Sequence, residues 1–299
     1  MKKHKNRLLV TALITLSLAA CATTEPGLQP QVNVHAVEAQ DLSKSNDETS
    51  LRVMTLNMAH ARGTGMNQML QGTDKALLNL NSIALLLKQE APDIVSLQEA
   101  DRHSFWNGNF DHVSFIAEQG EFHQSVSGAH VKNAGLDYGT ALVARLDLGS
   151  PESIIFNPTE PSNSKGFVVS SFTWPGNECV EVDVVSAHLD FSSKITRSEQ
   201  AAEIIAVLKR RNRPVILMGD FNADWRRSNS VVRKLADELG LHPFQPDDLT
   251  LVTFPKLGKR LDWILVSSEI EFQSYRVVET VVSDHLSVVA DLGINRSCG

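Results

Sequence analysis

The sequence has no zinc-type cysteine spacing. Its three cysteines, Cys21, Cys179 and Cys298, form no CxxC pair and no Cys/His set in 299 residues, which excludes a structural zinc module. Cys179 and Cys298 could pair in an oxidising compartment, and the sequence leaves that open. An excess of positive charge is also missing: 28 Lys and Arg stand against 35 Asp and Glu, a formal charge of −7. Four of the basic residues, Lys2, Lys3, Lys5 and Arg7, lie in the first 20 positions. From Cys21 onward 24 basic residues therefore face 35 acidic ones, a charge of −11. That balance speaks against a broad basic nucleic-acid surface. No repeat of fixed period interrupts the chain, and its longest early apolar run, Leu8 to Leu18, is short for a bilayer.

What stands at the start is an export signal: a basic opening, the apolar run, then Leu18-Ala19-Ala20-Cys21. That ending resembles the bacterial lipobox. The resemblance implies thioether lipidation of Cys21, cleavage before it, and a lipid anchor in the cell envelope. Ala22 in place of Asp favours the outer membrane. An ordinary cleaved signal with an incidental cysteine is the alternative. Residues 1–20 are accordingly read as signal peptide. Residues 21–50, rich in Thr, Pro, Gln, Asn, Ser and Asp, are read as a flexible tether. Residues 51–295 are read as one large domain.

The domain is organised around Pro214 to Trp225. Val215-Ile216-Leu217-Met218 predicts a strand buried on both faces, and Gly219 permits a sharp turn. Asp220, Asn222 and Asp224 follow at the strand's carboxyl end, where open α/β sheets bind ligands. A carboxylate and an amide two residues apart suit a hard divalent cation or the activation of water. An Asp/Asn turn that only caps the next helix is the alternative.

Other strand ends repeat the pattern. Leu51 to Leu56 predicts a strand delivering Asn57. Helical spacing over Ala76 to Gln89 is followed by Ile94-Val95-Ser96-Leu97-Gln98-Glu99, a βαβ unit whose second strand ends in an acid. Tyr138 to Arg145, Gly166 to Trp174 and Val180 to Ala187 predict further strands, the last ending in His188-Leu189-Asp190. A histidine at a strand mouth can donate to a phosphoryl oxygen while Asp190 orients it. His112, His123 and His130, among aromatic residues that could wall a cleft, read as structural. Asp262 sits beside the apolar run Trp263 to Val266 and needs a partner, for which His285, after Asp284, is the candidate.

Asn57, Gln98-Glu99, Tyr138-Gly139, Ser186-Ala187-His188-Leu189, Gly219-Asp220-Phe221-Asn222, Arg260-Leu261-Asp262 and Ser283-Asp284-His285 resemble, in order and spacing, the motifs of the endonuclease/exonuclease/phosphatase superfamily. The resemblance covers Leu51 to about Leu292. It implies the DNase I-like fold, a four-layer α/β sandwich of two packed mixed β-sheets flanked by helices. It also implies Mg²⁺ or Mn²⁺ held by Glu99, with Asn57 and Asp284 nearby. Asp220 would take a proton from the attacking water, and Asn222 would position that water or a phosphate oxygen. His188 and His285 would stabilise charge on the phosphoryl group, with Asp262 holding His285. Tyr138, Asp190 and Arg260 are the candidate substrate contacts.

The fold does not name a substrate. An anchored, acidic enzyme points to a lipid headgroup or small phosphate ester, as phosphodiester or phosphomonoester. An extracellular or periplasmic nuclease is the second reading, and a non-catalytic binding lipoprotein the third. Lys165, Arg226-Arg227, Lys256 and Lys259 are the positive groups placed to meet phosphate, and each reads equally as a solvated surface charge. The chain is expected to act as a monomer.

Overall fold

The computed structural model describes residues 32–36, 50–133, 135–157 and 163–295. Strand β9 (Val215–Asp220) shows why its apolar run is unbroken: Ile216 and Met218 join a core between two sheets, while Val215 and Leu217 join a core under helices. Both of its faces are buried, so no polar alternation is tolerated. The first sheet has the order β1-β4-β5-β3-β2-β13-β12, and the second β10-β11-β9-β8-β7-β6. The strands of the first are β1 (Val32–Ala36), β2 (Leu51–Asn57), β3 (Ile94–Asp101), β4 (Gln124–Asn133), β5 (Leu136–Ala144), β12 (Ile270–Val277) and β13 (Val288–Ile294). Those of the second are β6 (Gly149–Ile155), β7 (Gly166–Trp174), β8 (Asn177–His188), β9, β10 (Leu241–Pro243) and β11 (Asp262–Ser267).

Helices α1 (Thr73–Glu90) and α2 (His112–Gln119) cover the first sheet. There Leu80, Ile83, Leu87 and Ile116 pack on Met54, Leu56, Val95 and Leu97. Helices α3 (Lys194–Arg211) and α4 (Val231–Leu239) cover the second, with Ile204, Leu208, Val232 and Leu235 against Val185, Leu217 and Leu265. The fold is the expected four-layer α/β sandwich. Among the described residues no helix is long and apolar enough to cross a membrane.

Register fixes the site. Each sheet has one parallel pair built by a helical crossover: β2 beside β3 with Asn57 opposite Gln98, and β8 beside β9 with His188 opposite Asp220. Strand β11 runs antiparallel to β9 and begins with Asp262 opposite Asp220. Strand β13 pairs antiparallel with β2, so the loop before Val288, carrying Asp284 and His285, arrives at the same edge. Gly219 is required there: its φ is +144°, and a Cβ would stand 1.9 Å from the Ala187 carbonyl oxygen.

One expectation is corrected. Within the stretch read as a tether, Val32–Ala36 forms an edge strand, Val32 opposite Gly128 and Ala36 opposite Gln124. Its alternating valines were sufficient for an edge, whose backbone groups would otherwise have lacked partners. The signal segment, Cys21 and Cys298 lie outside the described residues. Cys179 is disulfide-bonded.

Candidate active site

Asp220 lies at the centre, 1% exposed. Its Oδ2 accepts from Asn57 Nδ2 at 3.1 Å and Asn222 Nδ2 at 3.2 Å, and its Oδ1 from the Asn222 backbone at 2.9 Å. Burial pushes its carboxyl up to about 7; Asp262 adds to the rise, while His285 and the hydrogen bonds from Asn222 and Asn57 oppose it. His188 Nε2 stands 3.5 Å and His285 Nε2 3.9 Å from Asp220 Oδ2.

The two imidazoles are poised differently. His285 Nδ1 donates to Asp262 Oδ2 at 2.8 Å. Burial disfavours its charge, but the Asp262 and Asp220 carboxylates prevail and lift it to about 10. Asp262 is held in turn: Thr253 Oγ1 accepts from the backbone nitrogens of Leu261 and Asp262. Burial, reinforced by Lys165, drives His188 well below its ordinary value, so its ring is neutral. Lys165 Nζ stands 3.3 Å from its Nδ1, and a lysine can only donate there. The His188 proton therefore sits on Nε2, toward Asp220. One neutral and one charged imidazole face the same carboxylate.

Glu99 occupies an irregularity of β3 between Leu97 and Ala100, with φ of +49°. Burial opposes its charge, yet His60, Lys165, His188 and Arg62 hold it well below the usual carboxylate range. Arg62 spans Glu99 Oε2 at 3.4 Å and Asp284 Oδ2 at 2.6 Å, and Lys256 Nζ lies 3.4 Å from Asp284 Oδ2. The Glu99 and Asp284 oxygens thus converge on one cationic position. Asp284 Oδ1 is buried without a hydrogen-bond partner among the described residues. These carboxylate oxygens fit a hard divalent cation, while Asn57 holds the Ala59 backbone through Oδ1 and Asp220 through Nδ2. The other grouping, Asp220, Asp262 and His285, has ligand atoms within 4.8 Å of one another. It fits less well, because its atoms are already engaged with one another and with Asn57 and Asn222: His285 Nδ1 with Asp262 Oδ2, and Asp220 Oδ2 with both amides.

Sequence reasoning missed a second His/Asp pair and Arg62. His60 Nδ1 meets Asp101 Oδ2 at 2.8 Å, and its Nε2 stands 3.5 Å from Glu99 Oε2. Burial opposes its charge, but Asp101 and Glu99 outweigh it and raise its pKa. Trp106 and Tyr138 wall the His60 ring at centroid distances of 5.2 and 4.8 Å. The available signal was Asp101 two residues beyond Glu99, and hence on the same strand. Tyr138 is brought to the site, its hydroxyl oxygen accepting from Asn163 Nδ2 at 2.7 Å.

Two substrate assignments are corrected. Asp190 is fully buried, and its Oδ1 accepts from the Ser192 and Ser193 backbones at 2.8 and 2.7 Å. It shapes the turn into α3 and is out of substrate's reach. Arg260, 6% exposed, lies over Trp263 and Tyr275 at 4.0 and 4.8 Å and donates to the Phe244 carbonyl and the Tyr275 hydroxyl. It joins β12 to the segment after β10. We expect Arg260→Ala to cost about 2–4 kcal/mol of stability, read as a lower urea midpoint, while KM stays within twofold. A raised KM in a fully stable variant would return Arg260 to the substrate.

A carboxylate and two imidazoles, converging with a second acidic pair at one edge of two packed sheets, define the chain as a DNase I-like α/β sandwich protein. The model of the Endonuclease/Exonuclease/phosphatase family matches residues 54–285, and the chain belongs to that family. Its members are generally hydrolases acting on phosphate esters. Among solved structures, the chain is similar to an endonuclease/exonuclease/phosphatase family protein from Leptotrichia buccalis, with 17% identity and a TM-score of 0.62 over 82% of this chain and all of that one. It is similar to the human Nocturnin catalytic domain with bound sulfate, with 19% identity and a TM-score of 0.61 over 88% and 97%. The Bacteroides thetaiotaomicron mannosyl-6-phosphatase shares 18% identity and a TM-score of 0.59 over 81% and 99%. No curated protein sequence matches.

Proposed function

We propose that this chain is a metal-dependent phosphoric ester hydrolase that drives water in line onto a phosphodiester or phosphomonoester. The observation that carries the reading is Asp220, buried and lifted to about 7 between a neutral and a protonated imidazole. A carboxylate of that basicity accepts a proton from water near neutral pH. Asn222 Nδ2 donates both to Asp220 and to the Leu189 carbonyl, at 3.2 and 3.0 Å, leaving only its Oδ1 free to accept. That suits a water molecule better than a phosphate oxygen. His188 Nε2–H and protonated His285 Nε2–H supply donors for charge developing on the phosphoryl oxygens, and Asp262 keeps His285 oriented. Glu99 and Asp284 would hold Mg²⁺ or Mn²⁺, which when bound polarises the phosphate and neutralises the leaving oxygen.

The acidic composition and the Leu18-Ala19-Ala20-Cys21 sequence support a lipid headgroup or small phosphate ester, met by a monomer anchored in the outer membrane through Cys21. Purified protein with Mg²⁺ or Mn²⁺ should hydrolyse bis-p-nitrophenyl phosphate, and sphingomyelin or phosphatidylinositol in preference to plasmid DNA or RNA. Preference for the nucleic acids would make it a nuclease. No turnover of any of them would leave a binding protein. A palmitate label lost in Cys21→Ser would support the anchor.

A further inference from the structure

Beyond Asn222 lies a cavity of about 550 Å³, bounded by the first turns of α3 and α4, the loop between Asn222 and Ser230, and the segment around Lys259 and Leu261. Six cationic side chains line it, and none forms an ion pair with a carboxylate among the described residues. Arg197 donates to the Asp190 carbonyl, Arg233 to the Trp225 carbonyl, and Lys234 to the carbonyl and hydroxyl of Ser198. Lys194, Arg227 and Lys259 have no side-chain partner at all among those residues. The acids in the lining are largely answered from outside it: Asp224 pairs with Arg226 at 3.1 Å and Glu238 with Lys209 at 2.9 Å. Arg197 also feels the Asp190 and Asp220 carboxylates and Lys234 feels Glu238, so the least compensated cations of the lining are Lys194, Arg227, Arg233 and Lys259.

Two helix starts add to this field, since α3 and α4 both present their first turns to the cavity, capped by Ser193 and Ser230. In a chain with an acidic excess, this concentration of weakly compensated positive charge is local. It is also continuous with the chemistry, because Asn222 both lines the cavity and hydrogen-bonds Asp220.

We propose that this cavity is an anion subsite that receives a second phosphate of the substrate, one group removed from the phosphate under attack. The inference rests on the phosphate-ester reading of the Asp220 site. Among the headgroups and small esters of that reading, the subsite favours those that carry a second phosphate. The second phosphate can belong to a small bisphosphorylated molecule or to the next link of a nucleic-acid backbone.

The test is a triple variant, Lys194→Ala, Arg227→Ala and Lys259→Ala. Two of these residues are exposed and the third half-buried, and all are outside the catalytic group. Calorimetric titration of inorganic pyrophosphate, with chelator present, should give binding to the wild type and at least about tenfold weaker binding to the variant. Turnover of bis-p-nitrophenyl phosphate, which has no second anion, should stay within twofold. KM for adenosine 3′,5′-bisphosphate, or for a 5′-phosphorylated hexathymidylate, should rise about tenfold, and the substrate with the larger rise identifies the source of the phosphate. Equal pyrophosphate affinity in the two proteins, or none in the wild type, overturns the subsite. Pyrophosphate binding lost in the variant, in a protein that hydrolyses none of the esters, keeps the subsite and removes the catalytic reading instead.

Discussion

Asp220→Asn is expected to lower kcat/KM for a phosphodiester about a thousandfold while leaving the fold intact. The substitution keeps the shape of the side chain but removes the carboxylate that faces both imidazoles, and general-base contributions run to roughly 10²–10⁴. In the wild type, kcat/KM should fall about tenfold per pH unit below about 7, because protonated Asp220 cannot take a proton from water. It should level off above that value, up to the loss of the His285 proton near 10. The charged and titratable groups acting on Asp220 are His188, His285, Asp262 and, farther off, Arg197; burial raises the carboxyl and none of these cations reverses it. The variant should melt modestly lower than the wild type, since both Asp220 oxygens accept from buried donors and one of them would meet the new amide NH2. Undiminished turnover in a folded Asp220→Asn protein would end the base assignment.

The second large effect is expected from Glu99→Gln, which should reduce turnover at least about a hundredfold at saturating Mg²⁺ or Mn²⁺. It removes a carboxylate that its cationic neighbours hold ionised and leaves Asp284 as the remaining acid of the cation set. Wild-type activity should be abolished by EDTA and restored by either ion, whereas the variant should need a higher ion concentration for half-maximal rate. Activity of the wild type undiminished by EDTA would remove the metal from the mechanism.

The strand-end residues were legible because each ends an apolar run. Asn57, His188 and Asp220 close β2, β8 and β9, and Glu99 sits in the irregularity near the end of β3; a polar side chain after a doubly buried run has few places to go but the sheet edge. Asp262 could be matched to His285 because a buried acid requires a partner. Arg62 and His60 were not legible. They leave β2 through Ala59, His60 and Ala61, three successive residues with φ between 50 and 56° and none of them Gly, Asn or Asp. Nothing in residue type signals that such a turn aims two cations at Glu99. Arg260 misled in the opposite direction: its basic side chain beside a strand suggested phosphate, but Tyr275, fifteen residues on, stacks under it. The cationic cavity was legible only in part: Arg227 and Lys259 stood out as groups placed to meet phosphate, but no short motif links them to the two helix starts that complete the lining.

Arg62 has a consequence for how the protein matures. By spanning Glu99 and Asp284 it acts as a built-in counter-ion, so two acids that would repel each other are already reconciled within the polypeptide. Folding then needs no inorganic ion as a template, and arrival of a divalent metal becomes an exchange of one cation for another. A chain with this device can reach its final shape first and acquire its reactivity afterwards, wherever the ion is supplied.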